Sequence, residues 1–158
     1  MKTAIVSLQV FLMLVILISP LLDPGYLTFS LMSLEPYQYL GIIFEIIGLV
    51  FVYLAKKEMA RNFRVRIKPQ ENGNLVTTGV FGHTRNPMYF GGLLLCFGWG
   101  LSQNSQLGVI SSFLLMLLLI VKIKFEEKEL EKVFTTEFLQ YKKRTPRLLP
   151  ALSKANGT

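Results

Sequence analysis

The sequence predicts an all-α integral membrane protein with about four transmembrane helices and a cytoplasmic C-terminal helix. Half of the 158 residues (51%) are hydrophobic, and they are concentrated in long runs that carry almost no charge. These runs approach the ~20 residues that a helix needs to cross a bilayer. The 17 lysines and arginines flank the runs, as the positive-inside rule describes. This distribution explains the net charge of +7 without a nucleic-acid partner.

The first two predicted spans are residues 4–22 and 37–55. Lys2 and the apolar run behind it would also suit a signal peptide. No small-x-small cleavage site follows, and we therefore expect the first helix to be retained. The second span ends at Lys56 and Lys57, which can anchor a helix at the membrane interface.

The third and fourth predicted spans are residues 87–101 and 107–121. Pro87 suits the first turn of a helix, where its missing N–H would be unpaired anyway. A run of ~15 residues rises only ~22 Å, less than the ~30 Å hydrocarbon core. We therefore expect the third helix to begin at or below the interface, in contact with protein. The fourth should continue as a helix past the membrane surface, with one apolar stripe at helical spacing formed by Leu130, Val133, Phe134, Phe138 and Tyr141.

The basic residues also predict the orientation of the chain. Apart from Lys2, all of them lie in segments 56–86 and 122–158, and the connections 23–36 and 102–106 hold none. With four spans, every basic residue falls on one side, which predicts a multi-pass protein with both termini in the cytoplasm. The length fits a single membrane domain, 1–158, with a polar turn at 70–74.

One ionisable side chain is predicted to lie inside the membrane. Glu45 is near the middle of the second span, and Gly41 and Gly48 share its helical face. Such a group is costly in hydrocarbon and normally faces the interior of the helix bundle, while small residues let another helix approach closely. Structural hydrogen bonding and contact with a substrate both remain open for Glu45.

A polar and glycine-rich run, residues 79–92, leads into the third span. Glycines permit close approach of the backbone to a ligand, and a helix N-terminus beside Arg85 suits a carboxylate or phosphate. An ordinary interfacial turn is the alternative. His83 is the only histidine and Cys96 the only cysteine, and we therefore predict no metal site.

Two adjacent carboxylates, Glu126 and Glu127, follow the fourth span. They can pair with helical lysines such as Lys124. They could instead bind a cationic ligand, such as an amino group or a sulfonium cofactor. The position next to the membrane surface makes them candidates for chemistry.

Together these motifs resemble a known family. Leu75–Phe81 and Arg85-Asn86-Pro87-Met88-Tyr89-Phe90-Gly91, followed by Glu126–Leu130 and Pro146-Arg147, look like the signature of the isoprenylcysteine carboxyl methyltransferase and phospholipid N-methyltransferase superfamily. The resemblance implies an S-adenosylmethionine-dependent membrane methyltransferase whose lipid-like or prenyl-like substrate enters from the bilayer. It implies catalytic roles for Arg85, Glu126 and Glu127. The implied cofactor site comprises Gly79, Phe81, His83, Arg85, Asn86, Pro87, Tyr89, Glu126, Glu127 and Tyr141. Arg144, which the same resemblance places at the edge of this site, and Glu45 are candidate substrate contacts.

The methyl acceptor and two other function classes stay open. Asn86 stands where the carboxyl methyltransferases usually have histidine, and this weakens any transfer of substrate identity. A carboxylate acceptor would need a cationic orienter such as Arg85, whereas an amine would need Glu126 or Glu127 to accept its proton. A non-catalytic membrane scaffold would use the same charges as a structural ion network. A sterol-reductase-like enzyme would use a nicotinamide cofactor.

Overall fold

The computed structural model describes residues 2–22, 35–64 and 75–151 of the chain. These residues form four α-helices, α1 (Lys2–Leu22), α2 (Pro36–Arg64), α3 (Pro87–Ser102) and α4 (Gln106–Arg144), with a 3-10 turn at Gly79–Gly82 before α3. The predicted all-α class is confirmed. The predicted turn at 70–74 and most of the connection 23–36 lie outside the described residues.

Helix length and composition support a membrane protein. Three segments in the described ranges are long and apolar enough to cross a bilayer: Thr3–Leu22, Pro36–Ala60 and Gln106–Arg144. α3 has only 16 residues, a rise of ~24 Å, so the short third helix predicted from the sequence is found. α2 and α4 both extend further than their predicted spans, because good helix formers such as Lys56, Lys57 and Lys128 continue the helix past the apolar run.

The described residues fall into two compact units, of which the first comprises Met1–Leu49 and Gly91–Lys122. Close helix contacts in this unit are made at glycines. A Cβ atom on Gly98 would lie 2.7 Å from the Gly41 carbonyl oxygen, and one on Gly48 would lie 2.7 Å from the Gly91 carbonyl oxygen. α2 and α3 therefore approach each other to backbone contact, as small residues allow in membrane helices.

A second set of small residues joins α1 to α4 within the first unit. The Ser105 hydroxyl donates to the Ser19 hydroxyl at 2.9 Å, and the Gly108 N–H donates to Ser105 Oγ at 3.0 Å. A Cβ atom on Gly108 would lie 2.6 Å from Ser19 Oγ. Near the other end of α1, Lys122 donates to Gln9 Oε1 at 2.6 Å. These contacts satisfy polar groups that would be costly in hydrocarbon.

The second unit comprises Val50–Phe90 and Ile123–Thr158. Its core includes Ala55, Ile123 and Phe138, all almost fully buried. Phe51 and Phe90 meet edge to face with ring centroids 4.9 Å apart, a favourable aromatic geometry. This unit contains both segments that carry the sequence motifs.

α4 bends at Thr135, whose backbone angles are non-helical (φ 12°, ψ −87°). Eleven residues of straight helix would separate Glu131 from Lys142 by ~16 Å along the axis, yet the two side chains form an ion pair. The predicted single apolar stripe is wrong: Phe138 is 1% exposed while Val133 is 72% exposed. The bend interrupts the helical periodicity on which that prediction depended.

The glycine contacts of α3 yield a test of packing. Gly98→Ala should destabilise the protein by ~1–3 kcal/mol because the new methyl group overlaps Gly41 and Glu45. Gly92→Ala is the matched control, since a Cβ there meets nothing within 4 Å and alanine favours helix by ~0.5–1 kcal/mol. Unfolding of the detergent-solubilised protein would measure both changes. Equal effects of the two substitutions would contradict the close approach at Gly98.

Candidate active site

The two motif segments meet at a buried ion pair in the second unit. Arg85, just before α3, donates from Nη2 and Nε to Glu127 Oε1 at 2.8 and 2.9 Å. The Arg85 and Glu127 side chains are only 7% and 5% exposed. Arg85 Nη1 donates to the carbonyl oxygens of Lys142 and Thr145 at 3.0 and 2.7 Å. Four of the five guanidinium N–H groups are thus used within the protein.

A second arginine completes the arrangement around Glu127. Arg147 Nε donates to the other carboxylate oxygen of Glu127 at 3.1 Å. One buried carboxylate therefore lies between two guanidinium groups from different segments. Charge-assisted hydrogen bonds of this kind are among the strongest in proteins, and they offset the cost of burying the carboxylate.

The chain after α4 lies along the segment before α3. The Thr84 hydroxyl donates to the Leu148 carbonyl at 2.9 Å, and the Arg85 N–H donates to the Pro146 carbonyl at 2.9 Å. The Asn86 side-chain amide donates to the Arg147 carbonyl at 2.9 Å. These bonds, together with the ion pairs, fix the segment that follows Arg144 against the start of α3.

His83 contributes to the same docking. The Ala151 N–H donates to the His83 carbonyl at 2.9 Å, and His83 Nδ1 lies 3.2 Å from the Ala151 carbonyl oxygen. His83 thus pairs with Ala151 through both its backbone and its ring. Within the described residues, no group of three or more His, Cys, Asp or Glu side chains could hold a metal ion.

Tyr141 ties the bent part of α4 to the 3-10 turn. Its hydroxyl donates to the Phe81 carbonyl at 2.6 Å. Tyr141 lies beyond the apolar part of α4, and burial raises the pKa of its phenol above the usual range, as the Glu127 carboxylate does also, while Arg85 opposes them. A phenol is already protonated at physiological pH, and the raised pKa extends to higher pH the range in which the Tyr141 hydroxyl can donate to Phe81.

The carboxylate next to Glu127 has a different partner. The Tyr89 hydroxyl lies 2.9 and 3.0 Å from the two carboxylate oxygens of Glu126. Both side chains are of intermediate exposure. Glu126 is therefore a carboxylate close to the start of α3 that does not belong to the Arg85–Glu127–Arg147 arrangement.

The turn that begins with Gly79 requires a glycine. Gly79 has φ +59°, and a Cβ atom there would lie 2.8 Å from a Glu58 carboxylate oxygen. A side chain at this position would meet both a strained backbone and the Glu58 carboxylate. The motif glycine thus lets α2 lie directly against the turn.

A cavity of about 410 Å³ opens in the second unit beside these contacts. This volume falls in the range of ~300–1,000 Å³ typical of small-molecule sites. Its wall combines polar, charged and aromatic groups from the segment before the 3-10 turn and from the end of α4. The lining includes Thr77, Gly82, Glu137, Gln140, Tyr141 and Arg144.

The structure brings most of the predicted site residues together in the second unit. These are Gly79, Phe81, His83, Arg85, Asn86, Pro87, Tyr89, Glu126, Glu127, Tyr141 and Arg144. Of these, Tyr141 and Arg144 line the cavity, whereas Arg85 and Glu127 bind each other. Glu45 belongs to the first unit, where it accepts a hydrogen bond of 2.6 Å from the Ser102 hydroxyl.

Six residues that line the cavity were not among the predicted site residues: Leu75, Thr77, Gly82, Glu137, Gln140 and Thr145. Glu137 and Gln140 share a helical face with Tyr141 and Arg144, because residues spaced by three, four and seven positions lie on one side of a helix. That spacing could have revealed them. This polar spacing was overlooked because the same part of α4 was predicted to form an apolar stripe.

Comparison with known proteins agrees with the motifs. A family model described as phospholipid methyltransferase matches residues 37–137, and the chain therefore belongs to that family. A probable protein-S-isoprenylcysteine O-methyltransferase from Oryza sativa subsp. indica is 29% identical over 116 residues, which cover 72% of this chain and 61% of the relative. The protein-S-isoprenylcysteine O-methyltransferase of Saccharomyces cerevisiae is 31% identical over 106 residues, covering 65% of this chain and 44% of the relative.

Another relative, with a different name, is the cobalt-zinc-cadmium resistance protein CzcN of Cupriavidus metallidurans. It is 30% identical over 92 residues, covering 58% of this chain and 42% of the relative. The chain thus spans between 42% and 61% of the length of these relatives. No solved structure matches the chain.

The buried ion pair predicts a large effect on stability. Glu127→Gln should lower the free energy of unfolding by ~3–5 kcal/mol, because two guanidinium groups then lose their buried counter-charge. Glu129→Gln is the control, since Glu129 pairs with Lys132 at the surface and such pairs contribute ~0–1 kcal/mol. Denaturant unfolding in detergent micelles would measure both. A loss at position 127 no greater than that at position 129 would contradict a structural role for the pair.

Proposed function

We propose that this protein is an S-adenosylmethionine-dependent methyltransferase that acts on a lipid-like or otherwise membrane-partitioned substrate. The observation that carries the proposal is the meeting of two motifs, some forty residues apart in sequence, at the Arg85–Glu127 pair beside a cavity. The family match supports the reaction class. The similarity to the plant and yeast protein-S-isoprenylcysteine O-methyltransferases supports an acceptor of the prenylated type.

The residues of the cavity fit the proposed methyl donor. S-adenosylmethionine carries a carboxylate, an ammonium group, hydroxyl groups and a flat base. The cavity wall offers Arg144 and Glu137 as opposite charges, Thr77 and Gln140 as hydrogen-bonding groups, and the ring of Tyr141 as an aromatic surface. The donor, when bound, supplies an activated methyl group on a sulfonium.

The protein's own contribution to such a transfer is positioning and exclusion of water. Arg85 and Glu127 are engaged with each other and with Arg147, and we assign them a positioning role. Glu126 belongs to α4, and its carboxylate lies against Tyr89 near the start of α3. In this proposal it accepts the proton of an amine acceptor or balances the charge of the reacting group, while the Tyr89 hydroxyl holds it in place.

Both an amine and a carboxylate acceptor are compatible with the residues at this site. Arg85 has only one N–H group beyond those it uses within the protein, which disfavours the role of cationic orienter for a carboxylate acceptor that the sequence suggests. Glu45 has a hydrogen-bond partner in the first unit, and we propose a structural role for it. A non-catalytic scaffold, the alternative function, would need the buried ion pair but would not need a cavity that binds a methyl donor.

The reaction class is tested by binding and turnover. Purified protein should bind S-adenosylhomocysteine in calorimetry and should transfer a labelled methyl group to an isoprenylcysteine analogue or to an amine phospholipid. Glu126→Gln should lower turnover by ~100-fold or more if this group moves a proton. Lys132→Gln, a surface change, should leave turnover unaltered. Absence of binding at millimolar ligand would reject the enzyme in favour of the scaffold.

We further propose four membrane spans with both termini in the cytoplasm, based on the one-sided lysines and arginines. With Cys96 changed to alanine, single cysteines can be placed at two exposed positions, Gln106 and Lys143. A membrane-impermeant maleimide should label Gln106→Cys in intact cells but Lys143→Cys only after permeabilisation. Labelling of both positions from one side would contradict this topology.

A further inference from the structure

The cavity wall carries an arrangement of opposite charges on one helical face. Glu137, Gln140, Tyr141 and Arg144 follow the bend of α4 at spacings of three, four and seven residues, and all four line the cavity. Residues at these spacings project from the same side of a helix. One end of the face is therefore a carboxylate and the other a guanidinium.

The two charges can act on one small ligand. Two helical turns separate Glu137 from Arg144 by ~10 Å along the axis. Long helical side chains lean toward the N-terminus, and Arg144 Nη2 lies 3.5 Å from Gln140 Oε1, which brings the guanidinium toward Glu137. Neither Glu137 nor Arg144 forms an ion pair with any other residue that the structure describes.

We propose that Glu137 and Arg144 bind the amino acid end of the methyl donor, a step that rests on the proposed function. Arg144 binds the α-carboxylate through its planar pair of N–H groups, and Glu137 binds the α-ammonium. The Tyr141 hydroxyl already donates to Phe81. The ring of Tyr141 and the side chain of Leu75, which also lines the cavity, are therefore the surfaces left for the base. Arg144, which the sequence analysis names as a candidate substrate contact, is thereby assigned to the methyl donor instead.

Glu137 and Arg144 are exposed side chains of opposite charge on one cavity wall, an arrangement that favours a zwitterionic ligand. An anionic ligand would be attracted by Arg144 but repelled by Glu137. A cationic ligand would be attracted by Glu137 but repelled by Arg144. A ligand that carries a carboxylate and an ammonium on one carbon satisfies both groups, which is a form of electrostatic complementarity that gives specificity. The amino acid end of the donor has this chemistry, and the nucleoside end does not.

The test compares two ligands that differ only at this end. S-adenosylhomocysteine carries the amino acid, whereas 5′-methylthioadenosine has a methyl group in its place. Calorimetry on the purified full chain should show that Glu137→Gln and Arg144→Gln each weaken binding of S-adenosylhomocysteine about tenfold, the effect of losing a hydrogen bond to a charged group. Both variants should bind 5′-methylthioadenosine as the unmodified protein does.

Lys143→Gln is the matched control, because it removes a neighbouring exposed charge that does not line the cavity. It should leave the affinity for both ligands unchanged. Loss of affinity for both ligands in the Glu137 and Arg144 variants, or for neither, would overturn the assignment while leaving the proposed function intact. If the unmodified protein binds neither ligand, the assignment and the proposed function both fail.

Discussion

A carboxylate buried between two guanidinium groups determines the arrangement of the second unit. Arg85 precedes α3, Glu127 belongs to α4, and Arg147 follows α4. Moving a charged group out of water costs several kcal/mol unless it is paired and hydrogen-bonded. The three segments must therefore meet at this point, and the backbone hydrogen bonds between the end of α4 and the start of α3 follow from that requirement.

Glu126 and Glu127 are adjacent in sequence, but only Glu127 takes part in the ion pairs with the two arginines. Neighbouring positions on a helix point about 100° apart, so Glu126 and Glu127 cannot face the same group. Glu127 faces the arginines, whereas Glu126 faces Tyr89. Of the paired glutamates, Glu127 therefore holds the three segments together, while Glu126 directs its carboxylate to Tyr89 near the start of α3.

Sequence reasoning captured the features that depend on local pattern. Pro87 correctly marks the start of α3, and the shortness of that helix follows from the length of its apolar run. The segments that carry the motifs belong to one unit of the structure. Their partners could not be foreseen, because the carbonyl groups of Lys142 and Thr145 that bind Arg85 are present in every peptide unit and leave no signature in a sequence.

The bend at Thr135 is the main feature that the sequence did not predict. Thr135 and Thr136 are β-branched residues, which weaken a helix only slightly, and neither glycine nor proline marks the position. A straight α4 would separate Lys142 from Glu131, with which it pairs.

The bend is also what connects the cavity to the buried carboxylate. It turns the face that holds Glu137 and Arg144 into the wall that also contains Thr77 and Gly82. The carbonyl of Lys142, brought into place by the same bend, accepts a hydrogen bond from Arg85. The shape of the cavity and the position of the Glu127 carboxylate are therefore consequences of one packing arrangement, and a change that loosens either should be felt at the other.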